Sequence, residues 1–285
     1  MPDLIYRFDH RGDHAIPMPC TCKEAVKRLE DGNRHFATIL TEPGSHGQPH
    51  VIHYDANALG LPNADGSPPK QTPFAAVLSC ADARVPVEMV LGQACNDIFV
   101  VRVAGNVLGS ECLGSLDYAL TNMADSLRVV LVLGHSNCGA VTAAVDAFIE
   151  PTRYLQFASS HPLRAIVDRL FVAVRGAHQA LETVFGQQVE TRGGYRDALI
   201  HVSVVLNAAM QAATVQAEFK NIMSDKLNVV YGVYDLATRQ VSMPLETKDN
   251  VNIRFGTPPS DALGFKNLGI LVAGSGRVNE LISVT

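Results

Sequence analysis

The sequence predicts an α/β protein with a mostly parallel central β-sheet flanked by helices. Two short apolar segments rich in β-branched residues, 74–79 and 129–134, are typical of strands buried on both faces. Segments with apolar residues at helical spacing alternate with them, which is the pattern of α/β folds. The 285 residues, 47% of them hydrophobic, supply enough apolar material for one core, so we expect a single domain over residues 1–285.

The first part of the chain is predicted to carry one helix. Residues 1–39 are interpreted as a polar arm followed by this helix, with Thr21 and Glu24 forming the capping box that starts it. Residues 40–73 are rich in Gly, Pro, Asn and His without periodicity, so we expect a loop insert. Its three histidines could bind a metal, but solvated side chains are the better interpretation because no cysteine accompanies them. They are His46, His50 and His53.

Residues 74–243 form the predicted core, in which strands and helices alternate. Besides the two apolar strands, the patterns predict a short helix over 86–92, a strand over 97–103, and helices over 111–125 and from Cys138. Two amphipathic helices, over 161–186 and 194–219, are expected to cover the sheet. A strand pair is predicted over 228–243.

Residues 244–285 form a C-terminal extension. Within it, residues 268–276 are similar to the strand and first turn of a dinucleotide-binding fingerprint, but Asn279 stands where a third glycine belongs. We therefore expect one extra strand or an oligomer contact here, and no nucleotide site.

Charge, apolar runs and cysteine content indicate which partners and which cellular compartment to expect. A net charge of −5 gives no reason to expect nucleic acid or an anionic membrane surface as a partner. The N-terminal residues lack the apolar core of a signal peptide, and no uninterrupted apolar run approaches the ~18 residues of a membrane helix. Six cysteines in a chain of this length do not indicate a disulfide framework. We expect a cytoplasmic protein with reduced thiols.

Soft metal ligands follow both apolar strands. Cys80 comes directly after residues 74–79, and His135 and Cys138 come directly after residues 129–134. The carboxyl ends of parallel strands meet at one edge of the sheet, where ligands bind in open α/β folds. Two thiolates and one imidazole suit tetrahedral Zn²⁺ and leave a fourth position open, as in catalytic sites. The sequence therefore predicts one zinc ion per chain.

Other residues beside these ligands suggest further roles. Asp82 and Arg84 are two residues apart, so both can face the same side, and arginine can clamp a carboxylate at two points. Residue types alone leave open a structural ion pair or a catalytic dyad; beside a zinc ligand we favour the dyad. Gly134 and Gly139 are expected to let the backbone bend closely around the metal.

The two motifs together resemble one known family. Cys80-x-Asp82-x-Arg84, followed later by His135-x-x-Cys138, is similar to the β-class carbonic anhydrases. Similarity extends to residues 27–36, 97–106 and 231–235, so the resemblance covers roughly residues 22–243. It implies a zinc lyase that reversibly hydrates CO₂ to bicarbonate and a proton, and a homodimer or higher homo-oligomer whose pockets are completed across the interface.

The resemblance also implies roles for individual residues. Asp82, held by Arg84, would accept a hydrogen bond from the zinc-bound hydroxide that attacks CO₂. When released from Arg84, Asp82 could instead become a conditional fourth zinc ligand. We place Gly139, next to Cys138, with the residues that the resemblance assigns to the substrate pocket. Those residues are Gln71, Phe99, Ala104 and Tyr118.

Two positions depart from the family pattern. Val103 stands where the family usually has asparagine, which puts the local backbone hydrogen bonding in doubt. Val77 stands where bicarbonate-regulated members carry tryptophan, so we expect no inhibitory bicarbonate site although Arg102 remains. Two alternative functions stay open: hydrolysis of CS₂ or COS through a long apolar channel, and a catalytically silent, zinc-stabilised assembly or regulatory protein.

Overall fold

The structure, a computed structural model, describes residues 4–9, 17–38, 50–55, 65–157, 159–223, 227–243 and 254–283. Its strands are β1 (Leu4–Asp9), β2 (His50–Asp55), β3 (Ala75–Ser79), β4 (Ile98–Arg102), β5 (Val129–His135), β6 (Asn228–Tyr234) and β7 (Val241–Ser242). Its α-helices are α1 (Cys22–Thr38), α2 (Val87–Val90), α3 (Ser110–Asn122), α4 (Gly139–Ile149), α5 (His161–Phe185), α6 (Tyr195–Glu218), α7 (Ala262–Ala273) and α8 (Gly276–Ser283).

A five-stranded sheet forms the centre, in the order β4-β3-β5-β6-β7. All neighbours pair in parallel except β7, which is antiparallel to β6. Every residue of β3 and β5 is buried, because helices cover both faces of the sheet and only apolar strands suit that environment. The predicted fold class, the two buried strands and the terminal strand pair are confirmed.

Helices form a layer on each side of this sheet. On one side α1 packs Ala25 and Leu29 against a cluster that includes Phe74 and Leu131. On the other side α6 lies directly on β5 and β6. The prediction that both long helices cover the sheet was only half right, because α5 packs mainly on α4, α6 and α7.

The sequence of α6 explains its central position. Apolar residues surround the helix almost completely, and a helix of that kind is stable only when it is buried. By length and composition alone α6 could cross a membrane, but 78% of its most apolar window is buried inside the protein. Such burial is what a core helix requires.

The capping box predicted for α1 is present. The Thr21 hydroxyl accepts a hydrogen bond from the Glu24 N–H at 3.2 Å. In return, the Glu24 carboxylate accepts from the N–H groups of Thr21 at 3.2 Å and Cys20 at 2.8 Å. Free N–H groups at the helix start are thereby satisfied.

Two strands lie where no regular structure was expected. β1 occurs in the predicted polar arm and β2 in the predicted loop insert, and they pair in parallel with Leu4 opposite His50. This partner is remote in sequence, so local periodicity could not reveal the pairing. His50 and His53 belong to β2, whereas His46 lies outside the described residues.

The extra strand predicted in the C-terminal extension was wrong, because residues 262–283 form α7 and α8. A continuous apolar run such as 268–273 fits a buried strand or a buried helix equally well. Here a cap decides for the helix, since the Asp261 carboxylate accepts a hydrogen bond from the Gly264 N–H at 2.7 Å. Residues 244–253 lie outside the described part.

Candidate metal centre

The three predicted ligands meet at one edge of the sheet. Cys80 follows β3, His135 ends β5, and Cys138 is the N-cap of α4. Because β3 and β5 are adjacent and parallel, with Ser79 opposite Leu133, their ends lie at the same level. The ligand atoms all lie within 4.8 Å of one another and all three residues are buried. The two sulfur atoms are 3.9 Å apart.

One ring nitrogen of His135 has no hydrogen-bond partner in the described part of the chain. Its Nδ1 lies 2.9 Å from the Ser136 carbonyl oxygen, which only accepts, so Nδ1 carries the proton. Its Nε2 is therefore a hydrogen-bond acceptor, and it is buried with no hydrogen-bond partner among the described residues. Leaving such a group unpaired is costly, and two adjacent thiols make a metal ion the partner that fits. Histidine ligands usually have this donation from the second nitrogen.

The two thiols have opposite acidities. The hydrogen bond with Cys138 lowers the pKa of Cys80 despite its burial, and His135 contributes in the same direction. The same hydrogen bond, together with burial, raises the pKa of Cys138. The Gly105 N–H also donates to the Cys80 sulfur at 3.3 Å. We therefore expect the metal-free pair to share one proton near neutral pH.

Asp82 and Arg84 form the predicted two-point contact. Arg84 Nε donates to Oδ1 of Asp82 at 2.9 Å, and Nη2 donates to Oδ2 at 2.6 Å. The Arg84 backbone N–H adds a third bond to Oδ1 at 2.9 Å. These bonds hold the pKa of the Asp82 carboxyl well below its usual range.

The carboxylate also lies next to the predicted metal position, since Oδ2 of Asp82 is 3.8 Å from Nε2 of His135. Both of its oxygens are engaged by Arg84. In turn, Nη2 of Arg84 donates to the Asn137 carbonyl at 3.3 Å. Zinc ligation by Asp82 after its release from Arg84 stays a prediction.

Arg102 has a structural role at this site that the sequence did not reveal. Its Nε donates to the Cys80 carbonyl at 3.0 Å, and its Nη2 donates to the Asp82 carbonyl at 2.5 Å. Arg102 thus ties the end of β4 to the segment that presents both side chains. No sequence motif signals such contacts, because they depend on the direction of main-chain carbonyls.

A buried polar chain supports the turn after β4, and it too was missed. Gly105, at φ 66°, donates to the Cys80 sulfur, while its carbonyl accepts from Asn207 Nδ2 at 2.8 Å. Asn207 Oδ1 accepts from Gln211 Nε2 at 3.1 Å, and Gln211 Oε1 accepts from the Leu108 N–H at 3.0 Å. Two amides spaced by four residues in the otherwise apolar α6 were the available signal.

Valine at position 103 leaves the local backbone bonds in place. Its N–H donates to the Ser79 carbonyl at 3.0 Å, and its carbonyl accepts from Ala81 at 3.2 Å and from Asn106 at 2.9 Å. Asparagine is therefore not needed there for the main-chain connections.

The two glycines beside the ligands do not act as expected. A Cβ atom on Gly134 would meet the Ala208 Cβ at 3.3 Å, so this glycine allows α6 to approach β5 closely. A Cβ on Gly139 would meet nothing within 4 Å. Neither residue has a positive φ, so neither glycine is required for a bend around the metal.

Within one chain, the residues predicted for the substrate pocket lie in two separate groups. Ala104 and Gly139 adjoin the ligands, since Ala104 precedes Gly105 and Gly139 follows Cys138. Gln71 and Phe99 instead line a cavity of about 390 Å³ at the amino-terminal side of the sheet.

The distance between the two groups is set by the strands. Phe99 pairs with Ala76, four residues before Cys80 and so about 13 Å away along the strand. The Tyr118 ring lies 6.5 Å from the Phe99 ring, in the remote group. One chain therefore does not bring Gln71, Phe99 and Tyr118 to the metal centre.

Comparison with known proteins matches the segment that contains the candidate metal centre to one family. A family model described as "Carbonic anhydrase" matches residues 75–241, which is more than half of the chain and includes all three ligands, Asp82 and Arg84. The chain belongs to the β-carbonic anhydrase family. Of the predicted substrate residues, Gln71 precedes the matched segment.

Curated carbonic anhydrases match the central part of the chain. Carbonic anhydrase 2 of Mycobacterium tuberculosis is 38% identical over 128 residues, which are 45% of this chain and 55% of the relative. The carbonic anhydrase of Mycolicibacterium smegmatis is 37% identical over 126 residues, which are 44% of this chain and 54% of the relative. The chain spans about half the length of the curated relatives it matches.

Solved β-carbonic anhydrases are similar at lower sequence identity. A structure described as a tetrameric β-carbonic anhydrase of Sordaria macrospora is 18% identical, with a TM-score of 0.47 over 60% of this chain and 80% of that chain. The Coccomyxa β-carbonic anhydrase in complex with acetazolamide is 19% identical, with a TM-score of 0.45 over 77% of this chain and 82% of that chain.

Proposed function

We propose that this chain catalyses the reversible hydration of CO₂ to bicarbonate and a proton, with one Zn²⁺ per chain bound by Cys80, His135 and Cys138. The observation that carries the proposal is the buried Nε2 of His135, for which the described residues provide no hydrogen-bond partner. It lies with two buried sulfur atoms beside a carboxylate that Arg84 holds at two points. Membership of the carbonic anhydrase family supports the same reaction.

The chain's own residues would orient the reactants. When bound, zinc supplies hydroxide for attack on CO₂, and because two thiolates offset its charge we expect the rate to rise from about pH 7 to about pH 9. Asp82, kept ionised and fixed by Arg84, accepts the hydrogen bond that turns this nucleophile toward CO₂. Arg84 acts through Asp82 and fixes the position of its carboxylate.

We further propose that the active unit is a homo-oligomer. Phe99 lies about 13 Å along the strand from Cys80 of its own chain, with the Tyr118 ring beside it and Gln71 lining the same cavity, so this group is too far away to contact the same CO₂ molecule. A second copy could bring its own set to this site, where Gln71 would donate a hydrogen bond to the substrate oxygen and the rings would exclude water.

Stopped-flow CO₂ hydration tests this proposal on the full chain after its zinc content has been measured. The zinc-loaded protein should hydrate CO₂ with a rate that rises with pH, and Cys138→Ser should lose both zinc and activity. A zinc-loaded protein no faster than Cys138→Ser would overturn the proposal. Parallel assays of CS₂ and COS hydrolysis would then identify the first alternative.

A further inference from the structure

A second cavity, which shares no residue with the metal centre, opens between α5, α6 and α7 and measures about 620 Å³. The residues that line it include Leu206 and Met210 of α6, Ala180 of α5, and Phe265 and Ile270 of α7. Both the volume and the apolar lining are typical of small-molecule binding sites.

Close helix packing fixes the walls of this cavity. A Cβ on Gly269 of α7 would meet the Ala180 Cβ at 3.1 Å, and a Cβ on Gly176 of α5 would meet the Leu206 side chain at 3.4 Å. Next to the cavity, the backbone of α7 therefore lies close to a side chain of α5, and the backbone of α5 lies close to a side chain of α6. Because the packing of the helices defines this cavity, it is formed without a ligand.

Two cations lie at its exposed rim. Arg175 of α5 and Lys266 of α7 both line the cavity and are exposed. In the part of the chain that the structure describes, no carboxylate forms an ion pair with either of them. Two positive charges beside an apolar cavity complement a ligand that has an anionic head and an apolar body.

We propose that this cavity binds a free medium-chain carboxylate, with its alkyl chain against Leu206, Met210 and Phe265 and its head group at Arg175 and Lys266. The apolar walls remove the chain from water. The head group accepts charge-assisted hydrogen bonds from two side chains that form no ion pair with any described carboxylate. A neutral alcohol of the same length gains only the first of these contributions.

Calorimetric titration of the zinc-loaded full chain with decanoate tests the proposal. We expect saturable binding of one decanoate per chain, and none with acetate, which would bind through its carboxylate alone. The double variant Arg175→Gln, Lys266→Gln should bind decanoate about tenfold more weakly. Its affinity for decan-1-ol should be unchanged.

The matched control is Arg169→Gln, Lys220→Gln, which removes the same charge at exposed positions outside the cavity. It should bind decanoate like the unmodified protein. The proposal is overturned if decanoate shows no saturable binding, as when a second copy fills the cavity. It is also overturned if both double variants lose affinity equally, since a general charge effect would then explain the binding.

Discussion

Asp82 cannot carry a proton near neutral pH, because three hydrogen bonds from Arg84 hold its pKa well below the usual carboxyl range. In the proposed function it therefore serves as a fixed hydrogen-bond acceptor. An amide in its place keeps the size of the side chain but loses one acceptor oxygen and the charge. A variant at position 82 should thus distinguish the proposed orientation of the nucleophile from binding of the metal.

Asp82→Asn is expected to reduce CO₂ hydration by about 100-fold while zinc stays bound. Turnover by stopped-flow and zinc content by elemental analysis check both halves of this expectation. Asp117→Asn, at an exposed position of α3, is the matched control and should retain full activity. Full activity in Asp82→Asn would remove the catalytic role of the carboxylate.

A second prediction concerns the protonation of Cys80 and Cys138 in the metal-free protein. Without metal, near pH 7, the pair should contain one thiolate, since the pKa of Cys80 is lowered and that of Cys138 is raised. Ultraviolet thiolate absorbance of the metal-free protein should fall by one equivalent in Cys80→Ser. Cys95→Ser, an exposed control, should leave the absorbance unchanged. Equal absorbance in all three proteins would contradict the shared-proton description.

How far the site was predictable depends on the kind of contact. Cys80, His135 and Cys138 could be found because soft ligands after two buried parallel strands must lie at one sheet edge. Arg102 and Gly105 could not, since they act through main-chain groups whose direction only the folded chain defines. Side-chain chemistry is visible in the sequence, whereas backbone hydrogen bonding at a turn is not.

At the scale of elements, the same contrast separates correct predictions from wrong ones. α1 was predictable because its cap is local, within residues 21–24. β2 was not, because its hydrogen bonds go to β1, a segment more than 40 residues earlier. A strand was predicted where α7 lies because the apolar run has no clear period. The local signal for a helix is Asp261, which is the N-cap of α7.

The contact between α6 and the turn at Gly105 carries the third prediction. Asn207→Ala would remove the hydrogen bonds that the Gly105 carbonyl and the Gln211 Nε2 group make to Asn207 inside the core. We expect the free energy of unfolding to fall by about 1–3 kcal/mol, measured by urea denaturation. Asn267→Ala on the exposed side of α7 should change it by less than about 0.5 kcal/mol. Equal losses in both variants would contradict a structural role for the buried amide.

Across the whole molecule, the metal centre connects segments that are far apart in the chain. Cys80 directly follows β3, and His135 and Cys138 flank the turn from β5 to α4. A zinc ion at this point would hold the two central strands and the first turn of α4 together. Because the donors are buried and close only in the folded chain, binding favours the folded state over the unfolded one.

Removal of zinc should therefore lower the thermal stability of the entire domain. At free zinc 100- to 1000-fold above its dissociation constant, linkage contributes about 3–4 kcal/mol, which corresponds to roughly 5–15 °C in Tm for a chain of this size. Scanning calorimetry of metal-free and zinc-restored protein measures the shift. Cys138→Ser, which lacks one ligand, should show little or no dependence on zinc. An unchanged Tm on zinc removal would mean that the strand ends are held by the protein alone, because a ligand that binds only the folded state must stabilise it.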